Sequence, residues 1–210
     1  MKWKGKEYNE NRKVIFEGDY LNGIRWNGKE KEFYDNGNLK FEGEYLNGKV
    51  KEYYDNGKLK FEGEYLNGEK NGKGKEYYHD GELIFEGEYL YDFKLNGKLY
   101  INEKLEYEGE FLYNKKWNGK GHDENGNIIY ELINGNGTVK EYNNDYKLIY
   151  EGEYLNGKRH GKGKQYWNNK LKFEGEFLNG KRNGKGKEYD YNGEVVFEGE
   201  YLDGKRLNQK

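Results

Sequence analysis

Residues Phe173–Tyr189, with the sequence FEGEFLNGKRNGKGKEY, contain the pattern from which most of this chain is built. It starts with an aromatic residue, Glu-Gly-Glu or Glu-Gly-Asp, a second aromatic residue and a leucine, and it ends in a lysine-rich segment. Copies follow one another every 20 to 25 residues. Such a period is typical of stacked repeats, each of which contacts mainly its neighbours. The copies begin at Phe16, Phe41, Phe61, Phe85, Tyr107, Tyr130 (a divergent copy), Tyr150, Phe173 and Phe197.

Each copy predicts one β-hairpin. In Phe41–Leu46 the aromatic residues and glycine alternate with glutamate and leucine, which is the period of a strand. Asn47-Gly48 follows as a hairpin turn signal, and Lys51–Tyr54 is again rich in strand formers. No segment shows the spacing of an amphipathic helix. We therefore predict an all-β fold, an elongated single-sheet array of about nine stacked β-hairpins.

The repeats predict one domain over residues 1–210, with half a repeat at each end. The sequence begins with the second strand of a hairpin, without the first strand before it. It ends with the first strand of a hairpin, followed by a polar tail over 203–210. Two copies are irregular, around 91–100 and 122–139, where expected glycines or aromatic residues are missing. Drift in tolerant loops is one interpretation of these segments, and a bend or a specific partner patch is the other.

One glycine in each of seven first strands is predicted to define the fold. It lies between two aromatic residues on the same face of the strand, and its lack of a side chain leaves room for a ring to cover bare backbone. A β-branched residue there should therefore destabilise the array. These glycines are Gly43, Gly63, Gly87, Gly109, Gly152, Gly175 and Gly199.

The pattern resembles the MORN (membrane occupation and recognition nexus) repeat family, including its bacterial-type variant. The family pattern is roughly aromatic-x-Gly-x-aromatic-x-x-Gly-x-x-x-Gly-x-Gly. Residues 75–83 resemble the second strand and turn of the variant. The resemblance implies a β-hairpin array that contacts proteins or phospholipids. Two sets of matching residues are Tyr150, Gly152, Tyr154, Gly157, Gly161, Gly163 and Phe173, Gly175, Phe177, Gly180, Gly184, Gly186.

Composition favours a thin aromatic core rather than a globule. Mean hydropathy is -1.36 and 36% of residues are charged, which alone would favour disorder, but 23 Tyr, 10 Phe and 4 Trp supply apolar area. The net charge of -2 steers no partner strongly, although residues 151–210 carry 13 basic and 10 acidic residues. There is no cysteine, signal peptide or apolar run of bilayer length. We predict a cytoplasmic protein, with membrane or cytoskeleton association as the alternative.

Sequence motifs for catalysis are lacking. Serine and cysteine are absent, so nucleophile arrangements based on them are excluded. The segment 161–164 (GKGK) has no Ser/Thr after it and does not fit a phosphate-binding loop. His79, His122 and His160 occupy different repeat positions, and the glutamate pairs recur in most repeats. We therefore predict no enzyme activity, no catalytic residue, no metal site, no cofactor and no nucleic-acid partner.

Two surfaces are candidate binding sites. The first is a basic edge made by the loops of consecutive hairpins, which would attract anionic lipid unless it is only a solvated edge. The second is an aromatic groove on one face of the sheet, unless the rings only pack on one another. The predicted edge comprises Lys158, Arg159, His160, Lys181, Arg182, Lys205 and Arg206. The predicted groove comprises Tyr154, Tyr166, Trp167, Phe177, Tyr189 and Tyr201.

Three functions follow from these features. The first is a non-enzymatic scaffold or protein-interaction module with protein partners, including a homodimer formed through end strands or the aromatic face. The second is a peripheral adaptor that binds anionic phospholipid membranes through the basic loops. The third is an antitoxin- or immunity-type binding partner, which is implied only by association with bacterial relatives of the repeat family.

Overall fold

The computed structural model describes residues 1–207, and in that part the fold is all-β without helices. Each of the nine aromatic anchors falls on the first strand of a hairpin, so the predicted fold class and hairpin count are confirmed. No helix of bilayer-spanning length and apolarity occurs among these residues. The predicted polar tail is described as far as Leu207, and its last three residues lie outside the described part.

The chain divides into two compact units, Met1–Gly97 and Lys98–Lys210, and β9 (Phe93–Ile101) contains the boundary. That residues 1–210 form one domain stays a prediction. In unit 1 the strands pair antiparallel, each with the next along the chain. They are β1 (Lys2–Tyr8), β2 (Val14–Leu21), β3 (Ile24–Phe33), β4 (Leu39–Glu44), β5 (Gly48–Tyr53), β6 (Leu59–Leu66), β7 (Glu69–Tyr77) and β8 (Leu83–Leu90).

Unit 2 is also a series of antiparallel hairpins, but its strand ladder is interrupted once. One sheet ends at β12, and a new sheet of seven strands runs from β13 to β19. The predicted single sheet is thus divided at this point. The strands are β10 (Lys104–Leu112), β11 (Lys115–His122), β12 (Ile128–Leu132), β13 (Gly137–Tyr142), β14 (Leu148–Leu155), β15 (Lys158–Trp167), β16 (Lys170–Leu178), β17 (Lys181–Tyr189), β18 (Val195–Leu202) and β19 (Lys205–Arg206).

The interruption lies where two bulky residues replace the glycines that face each other in the long hairpins. Gly175 and Gly186 pair across β16 and β17, and a methyl group on Gly175 would lie only 2.6 Å from the Cα of Gly186. In the β12–β13 hairpin the corresponding positions are Leu132 and Val139, both almost fully buried. The ladder between these strands is limited to the Ile133–Asn136 bridge, and it is interrupted beside these two residues.

Two-residue turns with positive φ at both positions close most hairpins. At Asn179-Gly180 the φ values are 51° and 90°, as required for a type I′ turn that matches the twist of the strands. In the irregular segment that begins at residue 91, Tyr91 and Asp92 adopt φ values of 49° and 65°. The turn geometry is therefore kept where the Asn-Gly sequence is lost.

The core is a layer of aromatic rings on the inner face of the hairpins. Phe173 is completely buried, and its ring makes edge-to-face contacts with Phe177 in the same strand and Tyr201 in the next hairpin, with centroids 5.4 and 5.1 Å apart. In unit 1, Phe61 contacts Tyr89 in the same way at 5.5 Å. Such pairs contribute about 0.5–1.5 kcal/mol beyond the area they bury. The core therefore couples each hairpin to the next.

Candidate binding surface

The second residue after each long hairpin turn is a cation that points inward onto the aromatic layer. The guanidinium of Arg159 lies 4.5 Å from the centroid of Tyr150, and its Nε and Nη2 donate to Glu141 at 2.8 and 2.7 Å. The guanidinium of Arg182 lies 4.2 Å from the ring centroid of Phe173, and its Nε donates to Oε1 of Gln165 at 2.8 Å. These arginines are half-buried and paired, so they are structural parts of the inner face.

The structure therefore separates the residues of the predicted basic edge. Lys158, Lys181 and Lys205 follow their turns directly and are exposed. The guanidinium of Arg206 lies 4.9 Å from the ring centroid of Phe197 and pairs with Glu188, although the side chain is 47% exposed. The other three members are half-buried, namely Arg159, His160 and Arg182. A binding edge at this position would thus depend on the three lysines.

The six residues of the predicted aromatic groove lie in different places. Phe177 and Tyr201 are buried in the core, and Tyr154 donates a hydrogen bond to the inward Glu141 at 2.6 Å. Tyr166 and Tyr189 donate to the outer-face residues Glu151 at 3.4 Å and Glu174 at 2.5 Å. Trp167 is 68% exposed at the end of β15, where Lys172 lies 5.5 Å from its ring centroid. The structure does not bring these six side chains together in one groove.

The seven first-strand glycines lie where the backbone or a ring occupies the space of a side chain. At each of them an added Cβ would lie within 2.7 Å of another atom. At Gly175 those atoms are the Cα of Gly186, the carbonyl oxygen of Lys185 and the ring of Phe173. Gly43 faces the side chain of Val50 instead of a glycine. That these positions define the fold remains a prediction, which a substitution at Gly175 tests.

In unit 2 an apolar side chain precedes each of five consecutive turns. Four are leucines at the same repeat position, Leu112, Leu155, Leu178 and Leu202, and the fifth is Ile133 in the shorter β12–β13 hairpin. Each is the last residue before its turn, faces the outer side of the sheet and is 40% to 66% exposed. The residue after the turn lies directly opposite and is lysine in four of the five hairpins. We call these ten residues the tip strip. It consists of the pairs Leu112–Lys115, Ile133–Asn136, Leu155–Lys158, Leu178–Lys181 and Leu202–Lys205.

Hydrogen bonds between neighbouring turns hold the tip strip in line. The amide of Gly157 donates to the carbonyl oxygen of Gly135 at 2.8 Å, and Gly180 donates to Arg159 at 2.8 Å. Gly204 donates to the carbonyl oxygen of Arg182 at 2.9 Å, and Gly135 donates to Trp117 at 2.8 Å. Consecutive tips are thus fixed at the spacing of one hairpin, about 9.6 Å from twice the strand separation. A surface with this rigidity loses little freedom when it binds a partner.

The outer face of unit 2 carries glutamates and lysines in alternating strands. Glu174 lies opposite Lys164 in β15 and Lys187 in β17, and the row ends in the Lys187–Glu198 pair at 3.2 Å. Two such rows form the walls of a groove of about 710 Å³ whose floor is the line of paired glycines, including Gly163 and Gly175. The charges of these rows compensate one another, and the tip strip lies along one side of this groove.

Tyrosines at the ends of second strands hydrogen bond to the outer-face glutamates. Burial and the hydrogen bond to Glu42 raise the pKa of Tyr53 to about 12, and the same two causes act on Tyr77 beside Glu62. For Tyr189 the hydrogen bond to Glu174 is the main cause of a pKa of about 12. Folding therefore favours the neutral phenol in both units.

We expect alkaline pH to destabilise both units. Because these folded-state pKa values exceed the unfolded value of about 10, the stabilisation is complete below pH 10 and is lost as the pH rises through about 12. Urea unfolding at a series of pH values, with tyrosinate absorbance as a second signal, measures this. Tyr189→Phe should reduce the pH dependence in this window. An unchanged urea midpoint between pH 10 and 12 would contradict the linkage.

Comparison with known families agrees with this architecture. The MORN repeat family matches residues 61–82, 150–172 and 173–195, and the MORN repeat variant matches residues 26–47 and 46–67. The chain contains MORN repeats. They occur in both compact units, which confirms the resemblance. No curated protein matches the chain. MORN repeats are generally non-catalytic modules that bind proteins or membranes, which makes this chain a repeat-based binding or scaffold module.

The sequence contained a signal for the tip strip that our interpretation missed. The predicted edge places both members of each Lys-Arg pair on one side, although neighbouring residues of a strand face opposite sides. Applied to Lys181 and Arg182, that alternation already separates an outward lysine from an inward arginine. The leucine before each turn recurs as regularly as the glycine, yet it was treated only as part of the repeat pattern.

Proposed function

We propose that this MORN-repeat protein is a non-enzymatic scaffold that holds a segment of a partner protein on the tip strip of unit 2. One observation carries the proposal: five consecutive turns present a partly exposed apolar side chain, and backbone hydrogen bonds between turns fix their spacing. Aligned apolar side chains on a polar surface are typical of interaction sites.

Differences between the repeats support the same surface. The inward cation, the glycines and the first ring recur in most long hairpins because the core requires them. By contrast, the residue directly after the turn is Ile24, Glu69, Phe93 or lysine in different hairpins. This position faces outward and is not needed for the core, so it can adapt to a partner. Repeat proteins commonly bind through such variable positions on a constant scaffold.

The apolar part of the strip supports binding of moderate strength by itself. A fully buried leucine contributes about 1.5–3 kcal/mol, and these residues are about half exposed, so each adds roughly 1 kcal/mol on binding. The sum over five residues is at the lower end of the cost of association, about 4–15 kcal/mol. A stable complex therefore also needs polar or charged contacts from the partner.

The proposal that the protein is not an enzyme rests on what its ionisable groups do. The inward glutamates pair with cations or tyrosines of the core, as Glu141 does with Arg159 and Tyr154. In the described residues no three His, Asp or Glu side chains form a group that could hold a metal ion. The outer-face carboxylates recur from hairpin to hairpin, which does not single out one catalytic centre.

Substituting the strip leucines tests the proposal. The full chain and its Leu155→Asn, Leu178→Asn, Leu202→Asn triple variant are used in selections from a random peptide library displayed on phage. We expect peptides that bind the wild-type chain to lose at least about tenfold in affinity for the triple variant. The matched control carries Leu21→Asn, Leu66→Asn and Leu90→Asn in unit 1 and should retain the peptides. Equal binding to the wild type and both variants would refute the proposal.

Anionic phospholipid is a second candidate ligand, favoured by the four exposed lysines beside the strip leucines. Each basic residue near an anionic surface contributes about 1 kcal/mol, so four lysines attract a membrane only weakly. Binding to phospholipid vesicles is included below as a competing outcome. Self-association and an immunity-type role stay predictions from the sequence.

A further inference from the structure

Three of the four lysines of the tip strip have no ion-pair partner among the residues that the structure describes. In the part of the chain that the structure describes, no carboxylate lies within 4.0 Å of the ammonium groups of Lys115, Lys158 or Lys205. Lys181 has only the exposed Asp203, 3.4 Å away. Arg159 and Arg182, by contrast, are largely buried and pair with Glu141 and Glu188. The strip therefore presents apolar and cationic side chains in alternation.

This alternation is specific to unit 2. In unit 1 the corresponding pairs across the turns are Leu21–Ile24 and Leu66–Glu69, and Phe93 follows the turn after Leu90. Both units thus keep a leucine before the turn, but only unit 2 adds a line of positive charge. Unit 1 provides a matched comparison surface in the same chain.

We propose that the tip strip of unit 2 binds an acidic amphipathic segment of a partner protein. Apolar side chains of the segment would contact the leucines, and its Asp or Glu side chains would pair with the lysines between them. From Leu112 to Leu202 the strip covers four hairpin steps, about 38 Å, which corresponds to about 11 extended residues. This inference rests on the proposed function and names its partner class.

The shape of the charge pattern favours a narrow segment over a flat anionic surface. On the same strands, two residues before the leucines, Glu153, Glu176 and Glu200 face the outer side and are exposed. A bilayer laid across the tips would bring its phosphates close to these carboxylates. A single polypeptide segment can follow the lysines and avoid the carboxylates. Charge complementarity of this kind raises the association rate and makes binding sensitive to salt.

The peptides selected above provide the test. We expect them to combine Asp or Glu with apolar residues, and we expect their affinity for the full chain to fall as salt is raised. The triple variant Lys158→Glu, Lys181→Glu, Lys205→Glu should bind them at least about tenfold more weakly. The control Lys162→Glu, Lys164→Glu, Lys185→Glu makes the same charge change within the outer-face rows and should bind within about twofold of the wild type. Circular dichroism verifies that both variants are folded.

The outcomes separate this inference from the proposed function. If the leucine variant loses the peptides but the strip-lysine variant keeps them, the scaffold proposal stands and the acidic partner is refuted. If the selected peptides lack acidic residues, the inference is likewise refuted. If neither triple variant changes binding, both proposals fail. If vesicles of phosphatidylserine and phosphatidylcholine bind in a strip-lysine-dependent way and no peptide is enriched, the ligand is a membrane and the inference is overturned.

Discussion

Lys116→Met is expected to lower the free energy of unfolding of unit 2 by about 3–5 kcal/mol, because it leaves a buried carboxylate without its cation. Glu106 is only 4% exposed. The Nζ of Lys116 donates to Oε2 of Glu106 at 2.6 Å and to the hydroxyl of Tyr130 at 2.9 Å, and it lies 5.1 Å from the ring centroid of Tyr107. A methionine keeps the length of the side chain and removes the charge.

This ion pair compensates for a change in the repeat. In most hairpins the acid that faces the inward cation comes from a second strand, as Glu141 of β13 does for Arg159. Leu99 stands where the pattern Lys-Gly-Lys-Glu-Tyr has its glutamate. Glu106 of β10 supplies the carboxylate instead, at a position that holds Ile84 or Ile149 in other copies. Lys116 therefore depends on a single acid.

Two further variants decide whether charge is the cause of the effect. The double variant Lys116→Met, Glu106→Leu removes both charges and should recover most of the lost stability, since replacing a buried ion pair by apolar residues is often neutral. Lys187→Met breaks the exposed Lys187–Glu198 pair and should cost only about 0–1 kcal/mol. Urea unfolding followed by circular dichroism measures all three. If Lys116→Met costs no more than Lys187→Met, the buried pair does not stabilise unit 2.

Gly175→Val is expected to destabilise unit 2 by about 3 kcal/mol, near the upper end of the range for overpacked cores. Its Cβ would lie 2.6 Å from the Cα of Gly186 and 2.7 Å from the ring of Phe173. Neither atom can move away easily, because Phe173 is fully buried between Phe177 and Tyr201. The strands would therefore have to separate.

A turn glycine provides the matched control for this substitution. Gly180 has a φ of 90° and no atom near the position of an added Cβ, so it is retained for backbone conformation rather than for space. Asparagine tolerates positive φ, and Gly180→Asn should therefore change stability by less than about 1 kcal/mol. Thermal and urea unfolding compare the two variants. Similar midpoints for Gly175→Val and Gly180→Asn would show that close backbone approach at Gly175 is not required.

Much of the fold could be predicted because its determinants are local. The alternation in Phe173–Leu178 and the turn Asn179-Gly180 specify a hairpin without information from distant residues. Repetition then specifies the pairing of each hairpin with the next. The divergent copy at Tyr130 was recognised in the same way, and it forms β12 and the start of the turn that follows.

The sequence by itself determined the hairpins, their order and their aromatic inner face, because strand period and turn chemistry act within a few residues. Strand alternation already places Arg182 and Lys181 on opposite faces, but only the tertiary structure decided which of these charges is paired. Arg182 has a ring of its own hairpin and a glutamate in β17 within reach, whereas Lys181 faces the solvent. The division between β12 and β13 was likewise decided by the tertiary structure, beside the buried Leu132 and Val139, because the ladder depends on how neighbouring backbones pack.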